Sequence, residues 1–272
     1  MPLITISRGI GCGGMIISRL VAEGLHLELF DDERLQKEIE GMNVKVKEIV
    51  GLDKKAPGFF DLLFSREPQI YLDYMEALIY EVSKKGDGVI IGHGSQMLLR
   101  DFECALHVHI HASEQTRIQN MMKQKNVSEE AALKLIRKSD HEQAGFFRFA
   151  FQMDWTDTSL YDLIINTEQL GLDTAAHLIM EAARSDQVKS CSLTAADAME
   201  RLSLKKKVEA ALLVKGVRLS LFYIDVPQKG QVEIRGFINS SQEKSEILDA
   251  VKAVKGVEEI QDDIGIIRFR SY

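Results

Sequence analysis

Four glycines within six residues follow the first apolar run of the chain, and this feature most constrains the fold. The run Leu3–Ser7 ends just before the glycine loop 9–14, and apolar residues at helical spacing follow over Met15–Leu25. A strand, a glycine loop and a helix in this order are typical of a phosphate site in an α/β protein, because successive backbone N–H groups converge on one anion. A tight turn without a ligand is the alternative interpretation.

The loop keeps the glycine frame of the GxxxxGK[ST] motif but not its last two residues. Met15 and Ile16 stand where the motif has a lysine and the hydroxyl that contacts Mg²⁺, and Ser18 is too far along the helix to replace that hydroxyl. We therefore expect a backbone cradle for phosphate without the motif's own cation. The residues predicted to bind the donor phosphates at this junction are Arg8, Gly9, Gly11, Cys12, Gly13, Gly14 and Met15.

Short β-branched runs alternate with helical patterns over residues 1–184. Apolar residues share one helix face between Ile70 and Val82, and Ser113 and Ser128 stand at helix N-cap positions. Apolar strands that alternate with helices are typical of a parallel sheet covered by helices on both faces. The predicted fold class is therefore α/β. The predicted strands are Leu3–Ser7, Leu27–Phe30, Gly88–Gly92, Ala105–His111 and Asp162–Asn166.

The sequence pattern changes after residue 184. Residues 185–200 are polar, with little apolar periodicity, and are predicted to be a linker. Residues 201–272 are predicted to form a small, separate α+β domain with the element order αββαβ. Its two middle strands are joined through Pro227-Gln228-Lys229-Gly230, a hairpin turn. The predicted elements are a helix at Leu202–Val214, strands at Arg218–Val226 and Gln231–Phe237, a helix at Ser241–Val254 and a strand at Val257–Arg268.

Collinear motifs over roughly residues 3–180 resemble the cytidylate kinase-like family, a branch of the nucleoside monophosphate kinases. The matching segments are Ile4-Thr5-Ile6-Ser7-Arg8, Phe30-Asp31, Val89-Ile90-Ile91-Gly92, Leu106-His107-Val108, Asp154-Trp155 and Tyr161-Asp162-Leu163-Ile164-Ile165-Asn166-Thr167. The resemblance implies a P-loop domain that uses ATP and Mg²⁺ to phosphorylate CMP or a related nucleoside monophosphate. It also implies an acceptor-binding region and a mobile lid.

Roles for individual residues follow from the resemblance, position by position. It implies that Asp31 faces the acceptor nucleotide and that Arg117 contacts the donor phosphates. His93 stands in a Gly-His-Gly step where family members generally carry Gly-Arg-Gly, and it is assigned to the acceptor site because a protonated imidazole partly replaces the arginine. The candidate catalytic residues of the lid region are Arg137, Asp140 and Arg148.

Three cations that the resemblance leads us to expect are absent from this sequence. Met15 and His93 occupy two arginine positions, and Gln143 replaces the arginine of the lid's D-x-x-R pattern. Phosphoryl transfer depends on positioning and charge stabilisation, so these losses weaken the case for catalysis. Two functions follow: an active phosphotransferase, or a catalytically degenerate nucleotide-binding or regulatory protein that acts through its C-terminal domain. The first predicts that four arginines converge on the loop, namely Arg8, Arg117, Arg137 and Arg148.

Residues 201–268 resemble the BON domain, a small module associated with phospholipid or membrane-surface binding. The resemblance lies in the strand Gly230–Gly236, the helix from Ser241 and the step Val254–Val257. An unrelated α+β module with a glycine turn is the alternative. The run Lys205–Lys207 is a candidate patch for anionic phospholipid. A protein partner, including a second copy of the chain, is the other expected class of partner.

Composition excludes some classes of protein. A net charge of −7, from 34 Lys and Arg against 41 Asp and Glu, disfavours a protein that coats nucleic acid. The cysteines are odd in number and far apart, which predicts reduced thiols with neither a disulfide framework nor a zinc site; they are Cys12, Cys104 and Cys191. No export or membrane segment is visible, so a cytoplasmic protein is expected.

Three histidines alternate along the predicted strand Ala105–His111. His107, His109 and His111 therefore point to one face of the sheet, where two of them could share a metal ion. No carboxylate or cysteine is placed beside them by the sequence, and packing against a covering helix is the favoured interpretation. No metal site is predicted for this chain.

Overall fold

The structure is a computed structural model that describes residues 2–41, 68–188 and 190–267. The chain divides into two compact units, residues 1–38 with 85–195 and residues 39–84 with 196–272. The helix Pro68–Ser83 belongs to the second unit, although the sequence prediction placed it in the first domain. The boundaries 1–184, 185–200 and 201–272 stay a prediction.

The first unit is built on a parallel five-stranded sheet with the strand order β2-β3-β1-β4-β5. Its strands are β1 (Leu3–Arg8), β2 (Leu29–Phe30), β3 (Gly88–Ile91), β4 (Ala105–His111) and β5 (Leu163–Asn166). Its helices are α1 (Gly14–Leu25), α2 (Asp32–Gly41, which crosses the boundary between the units), α4 (Ser95–Leu98), α5 (Glu114–Lys125), α6 (Glu129–Phe151), α7 (Thr167–Leu170) and α8 (Leu172–Ala183). The α/β fold class is therefore confirmed.

Side chains alternate strictly along the two central strands of this sheet. Ile4 and Ile6 of β1 point to the face that packs against α1 and α8, and that apolar core also contains Val108 of β4. The opposite face of the same strands is polar and buried. It carries Thr5, Ser7, His107 and His109.

The carboxyl ends of the parallel strands meet at one edge of the sheet. The glycine loop follows β1 there, Asp31 follows β2, and the segment from Gly92 follows β3. Two helices of this unit are capped as predicted, because the Ser113 hydroxyl accepts a bond from the N–H of Thr116 and Ser128 does the same for Ala131. This edge is where parallel α/β sheets bind ligands.

The second unit is a small α+β structure that has the predicted order αββαβ from α9 (Leu193–Val214) onwards, with one further helix from earlier in the chain. Its sheet pairs β6 (Phe222–Gln228) with β7 (Gln231–Ile238) in antiparallel fashion and β7 with β8 (Glu259–Ile266) in parallel. Its helices are α3 (Pro68–Ser83), α9 (Leu193–Val214) and α10 (Ser241–Lys252). The predicted linker 185–200 is thus helical from Leu193 onwards, and Arg268, the predicted end of the last strand, lies outside the described residues.

None of the helices in the described ranges combines the length and the apolar composition that a bilayer span requires.

A disulfide joins Cys104 to Cys191, and the prediction of three reduced thiols is therefore wrong. Cys104 lies just before β4 and Cys191 just before α9, with their Cα atoms 4.8 Å apart although they are separated by 87 positions in sequence. Cys12 is buried and is the free cysteine of the chain. The spacing of cysteines in sequence could not reveal the bond because only the tertiary fold brings the pair together. The expectation of a reducing compartment loses its basis in the cysteines.

Replacing both cysteines, Cys104→Ser with Cys191→Ser, is expected to lower the free energy of unfolding by about 2–5 kcal/mol, because the cross-link restricts the unfolded chain. Urea unfolding with and without a thiol reductant measures this. The reductant should bring the wild type down to the stability of the double variant and leave the variant unchanged. A wild type that is indifferent to reductant would contradict the bond.

Three carboxylates surround one ammonium group in the second unit, between α3 and α9. Lys206 Nζ lies 3.2 Å from Asp73 Oδ1, 3.0 Å from Glu76 Oε2 and 2.9 Å from Glu209 Oε2. Burial raises the pKa of Asp73 to about 6, with Lys206 opposing the shift and the other two carboxylates adding to it. Burial lowers the pKa of Lys206, but the three carboxylates outweigh it and the pKa is raised.

The raised pKa of Asp73 makes the stability of the folded protein depend on pH. A variant without this carboxyl group measures that effect. The folded unit holds this proton more tightly than the unfolded chain does, so the stability that Asp73 contributes falls as pH rises from about 4 to about 6. Over that interval Asp73→Asn is expected to gain up to about 3 kcal/mol relative to the wild type. Urea unfolding at several pH values measures the difference.

The matched control is Asp249→Asn, which removes an exposed carboxylate from α10 of the same unit. Its difference from the wild type should stay flat over the same pH interval. A flat difference for Asp73→Asn as well would refute the assignment.

Candidate phosphate-binding site

The N-terminus of α1 is open toward the glycine loop. The helix begins at Gly14, and Gly13 precedes it in a left-handed conformation with φ of 81° that glycine adopts without strain. No side chain caps the helix, and no acidic residue lies in its first turn. The positive end of the helix dipole is therefore free of side-chain competition for an anion.

Every carbonyl of the loop from Gly9 to Gly13 accepts a hydrogen bond. The donors, in chain order, are Cys12 Sγ to Gly9 at 2.8 Å, Arg117 Nε to Ile10 at 2.7 Å, Asn120 Nδ2 to Gly11 at 2.8 Å, Thr167 Oγ1 to Cys12 at 2.9 Å, and the N–H groups of Ile16 and Ile17 to Gly13. Within the described part of the chain, the N–H groups of Gly11, Gly13 and Met15 have no acceptor. The loop thus presents donors to whatever it binds.

Two of these donors were not found from the sequence. Asn120 lies one turn after Arg117 on α5, so the two side chains share a helix face. Thr167 begins α7, directly after β5. The spacing of Arg117 and Asn120 was a usable signal, but only once α5 was known to face the loop. Cys12 fills the loop interior, and burial raises the pKa of its thiol, so it packs as a small neutral group.

Arg117 and Asp140 meet beside the loop. The two terminal nitrogens of Arg117 donate to the two carboxylate oxygens of Asp140 at 2.8 and 2.7 Å, while Nε donates to the Ile10 carbonyl. The arginine side chain is 12% exposed. The predicted phosphate ligand and one predicted catalytic residue are therefore brought together, as an ion pair.

The other two predicted catalytic residues lie away from the loop. Arg137 is 67% exposed and lies 3.5 Å from Glu114, and exposed Arg148 donates to the Ala144 carbonyl of its own helix. Only Arg8 and Arg117 of the four predicted arginines reach the loop. The head of Arg8 lies against Gly92, where a Cβ would be 2.9 Å from Nη1.

The side chains at positions 15–18 supply no phosphate ligand. Ile16 is 46% exposed, and Met15 is half-buried. The Ser18 hydroxyl donates to the Gly14 carbonyl at 2.8 Å, so it is turned back along its own helix. The site has no lysine or hydroxyl in the places where the full motif has them.

Of the two acidic residues that follow β2, Asp32 is the one that contacts His93 and Arg8, and the acceptor-site role of Asp31 stays a prediction. Asp31 accepts a bond from the N–H of Arg34 and caps α2. Asp32 lies 2.7 Å from His93 Nε2 and 3.7 Å from Arg8. Burial raises the pKa of Asp32, but the hydrogen bond and charge of His93, with the charge of Arg8, outweigh it and lower that pKa to about 2.

A hydrogen-bond network centred on Tyr161 extends the site across the polar face of the sheet. The Tyr161 hydroxyl donates to the Trp155 carbonyl at 2.6 Å, and it accepts from Gln96 Nε2 and the Ser7 hydroxyl, both at 3.2 Å. The ring of His109 packs against Tyr161 and Trp155, with centroids 4.8 and 5.5 Å away. Burial, with a smaller effect of His111, lowers the pKa of His109 to about 4.

Comparisons with known proteins show which family this chain is similar to. Residues 3–169 match the model of the cytidylate kinase-like family. The chain belongs to the cytidylate kinase-like family. It is 23% identical over 182 residues to a cytidylate kinase of Staphylothermus marinus, covering 66% of this chain and 96% of that one. It is 24% identical over 183 residues to a cytidylate kinase of Sulfurisphaera tokodaii, covering 65% and 92%.

One solved structure supports the fold of the first unit. The crystal structure of an uncharacterized protein from Eubacterium ventriosum aligns with a TM-score of 0.52 and 20% identity, over 68% of this chain and 99% of that one. At this identity the likeness shows the fold alone.

The family implies ATP and Mg²⁺. The residues at this site fit the phosphates of ATP better than they fit the metal ion. Unpaired N–H groups at the start of α1 suit phosphate oxygens. The family's metal ion finds no hydroxyl at Ile16, and no group of three side chains suited to a metal occurs in the described ranges. Of the histidines of β4, His109 packs against aromatic rings and His107 Nδ1 lies 2.8 Å from the Thr5 hydroxyl.

Tyr161→Phe is expected to destabilise the protein by about 1–3 kcal/mol, because it leaves Gln96 Nε2 and the Trp155 carbonyl without their partner in a buried site. Thermal or urea unfolding measures the change. The control is Tyr223→Phe, at a tyrosine that is 54% exposed, which should change stability by less than about 0.5 kcal/mol. Equal effects at the two positions would argue against the network.

Proposed function

We propose that this chain is a nucleotide-binding member of its family whose transfer of a phosphoryl group from ATP to CMP, or to a related monophosphate, is slow. The observation that carries the proposal is the loop 9–14, whose carbonyls all accept hydrogen bonds, while the N–H groups of Gly11, Gly13 and Met15 have no acceptor within the described residues and are left for an anion. The relatives named cytidylate kinase support the choice of acceptor.

The charge balance at the loop supports slow transfer. Arg8 faces the carboxylate of Asp32, and Arg117 is paired with Asp140, so neither arginine adds net positive charge to the site. Met15 and Ile16 add none. A cation aimed at the transferring phosphoryl group contributes about 10³–10⁵ in rate. A site that relies on backbone donors binds the ground state better than it stabilises the additional charge of the transition state.

An efficient cytidylate kinase is the second candidate, and one feature favours it. Asp32, His93 and Arg8 come from three different strand ends and meet beside Gly92. A carboxylate held charged by an imidazole and a guanidinium is suited to orient a polar acceptor. Under this alternative these three residues bind the monophosphate and compensate for the vacated arginine positions.

Restoring the motif's cation tests the proposal. The wild type is expected to bind ATP–Mg²⁺ in calorimetry but to turn over CMP well below the roughly 1–100 s⁻¹ typical of kinases. Met15→Lys with Ile16→Ser rebuilds the GK[ST] ending and should raise the rate of ADP release at least about tenfold. Ile16 is exposed and Met15 half-buried, so the new side chains can reach solvent.

The control for that experiment is Met15→Gln with Ile16→Ser, which has similar polarity but lacks the positive charge. It should bind ATP–Mg²⁺ much like the wild type and stay slow. Wild-type turnover of tens per second on CMP would establish the second candidate instead. Absence of any ATP binding would refute both.

For the C-terminal residues 201–272 we propose a BON-like interaction module with a protein partner, including a second copy, in preference to an anionic phospholipid surface. The charges of the lysine run support this preference. Lys205 lies 3.8 Å from Asp225, Lys207 lies 2.8 Å from Glu81, and Lys206 is surrounded by three carboxylates. An anionic membrane would have to compete with carboxylates already in contact.

A further inference from the structure

Arg117 is a structural part of the phosphate loop in this chain. Its Nε and both terminal nitrogens are used, one on the Ile10 carbonyl and two on Asp140. A guanidinium has five N–H groups in one plane, so three fixed bonds define the orientation of the whole group. Nothing in this geometry leaves the arginine free to follow a ligand.

Two glycines of the loop leave the space that this contact with Arg117 requires, in addition to any role in binding an anion. A Cβ on Gly9 would lie 2.9 to 3.3 Å from the guanidinium atoms of Arg117. A Cβ on Gly11 would lie 2.8 Å from the backbone oxygen of Arg117. A larger residue at Gly11 would push α5 away from the loop because the close atoms are backbone, whereas a larger residue at Gly9 would displace the guanidinium of Arg117. The glycines therefore allow the helix to lie directly on the loop backbone.

Asp140 determines where the guanidinium lies. It belongs to α6, and its two oxygens bind the two terminal nitrogens in the parallel geometry that arginine and carboxylate prefer. Among the described residues Asp140 has no other hydrogen-bond or ion-pair partner, and none of its bonds goes to the loop itself. Its effect on the loop passes through Arg117 alone.

We infer that Asp140 is a positioning residue that acts through Arg117 to set the shape of the phosphate loop. The chain of contacts runs from Asp140 to Arg117 to the Ile10 carbonyl, and it turns that carbonyl away from the anion site. Asn120 of the same helix holds the next carbonyl, that of Gly11. The phosphate-binding consequence rests on the proposed function, whereas the effect on the loop does not.

The experiment compares Asp140→Asn with Asp140→Glu and Arg117→Lys. Asparagine keeps the size but presents an NH₂ group to one guanidinium nitrogen, glutamate keeps the two-oxygen contact, and lysine cannot bridge Asp140 and the Ile10 carbonyl as a planar fork does. The charge-matched control is Glu130→Gln, an exposed position in the first turn of the same helix.

The first measurement is amide hydrogen exchange of the ligand-free protein. Asp140→Asn should speed exchange of the Ile16 and Ile17 amides, which donate to the Gly13 carbonyl at the end of the loop, by about tenfold or more, with no change in the amides of β4. Asp140→Glu should restore much of the protection, and Glu130→Gln should match the wild type. Unchanged exchange of these two amides in both Asp140→Asn and Arg117→Lys would overturn the inference. Equal loss of protection at these amides and in β4 would show general destabilisation and would also overturn it.

The second measurement is calorimetric binding of inorganic pyrophosphate. Asp140→Asn should weaken binding about tenfold, and adding it to Arg117→Lys should change nothing further, because Asp140 acts through Arg117. Tighter binding by Asp140→Asn would instead make Arg117 a ligand-binding cation that Asp140 withholds, and would overturn the inference. If the wild type binds no pyrophosphate, the proposed function fails while hydrogen exchange still decides the role of Asp140.

Discussion

The phosphate loop keeps one shape because each of its carbonyls has a donor, and the first unit is arranged to supply those donors. Glycine loses more conformational freedom on folding than other residues, so a loop with four of them needs fixed contacts to stay ordered. The donors come from Cys12 within the loop, from α5 and from the start of α7. β4 leads into α5 and β5 leads into α7, so both helices begin beside the loop. The sheet order is thus a condition for the site.

Backbone dipoles, more than side-chain charges, define the field at this loop. Each of the two arginines that reach it faces an aspartate, Arg8 with Asp32 and Arg117 with Asp140. A neutral pair contributes directed hydrogen bonds but little net attraction for an anion. The N–H groups and the dipole of α1 remain, and under the proposed function these bind phosphate without selective stabilisation of a transition state.

Local signals predict the elements of the first unit, because β-branched runs, helical periodicity and serine caps act over a few residues. The predicted and observed bounds of Ala105–His111 coincide. The contacts that complete the site join residues far apart, such as Asn120 with Gly11 and Thr167 with Cys12, and no spacing in the sequence encodes them. Asp31 and Asp32 show that the sequence also leaves open which of two adjacent acidic residues makes a given contact.

Their roles depend on where α2 begins. The resemblance placed an acidic residue after β2, and an acidic residue is there. Asp31 is used to cap the helix, so the next residue, Asp32, is the one that reaches His93 and Arg8. A shift of one residue at a helix start thus exchanges a structural role for a candidate binding role, which sequence patterns do not resolve.

The run Lys205–Lys207 shows the same limit for charge. Consecutive residues on a helix point in directions about 100° apart, so three adjacent lysines cannot share one face. Lys206 and Lys207 reach carboxylates of α3, and Lys205 reaches Asp225 of β6. What is a basic patch in the sequence is a set of internal ion pairs in the fold. Only charged side chains that have no ion-pair partner within the domain are available to a binding partner. Removing Lys206 from three buried or half-buried carboxylates would leave those charges uncompensated, which opposes any docking that depends on it.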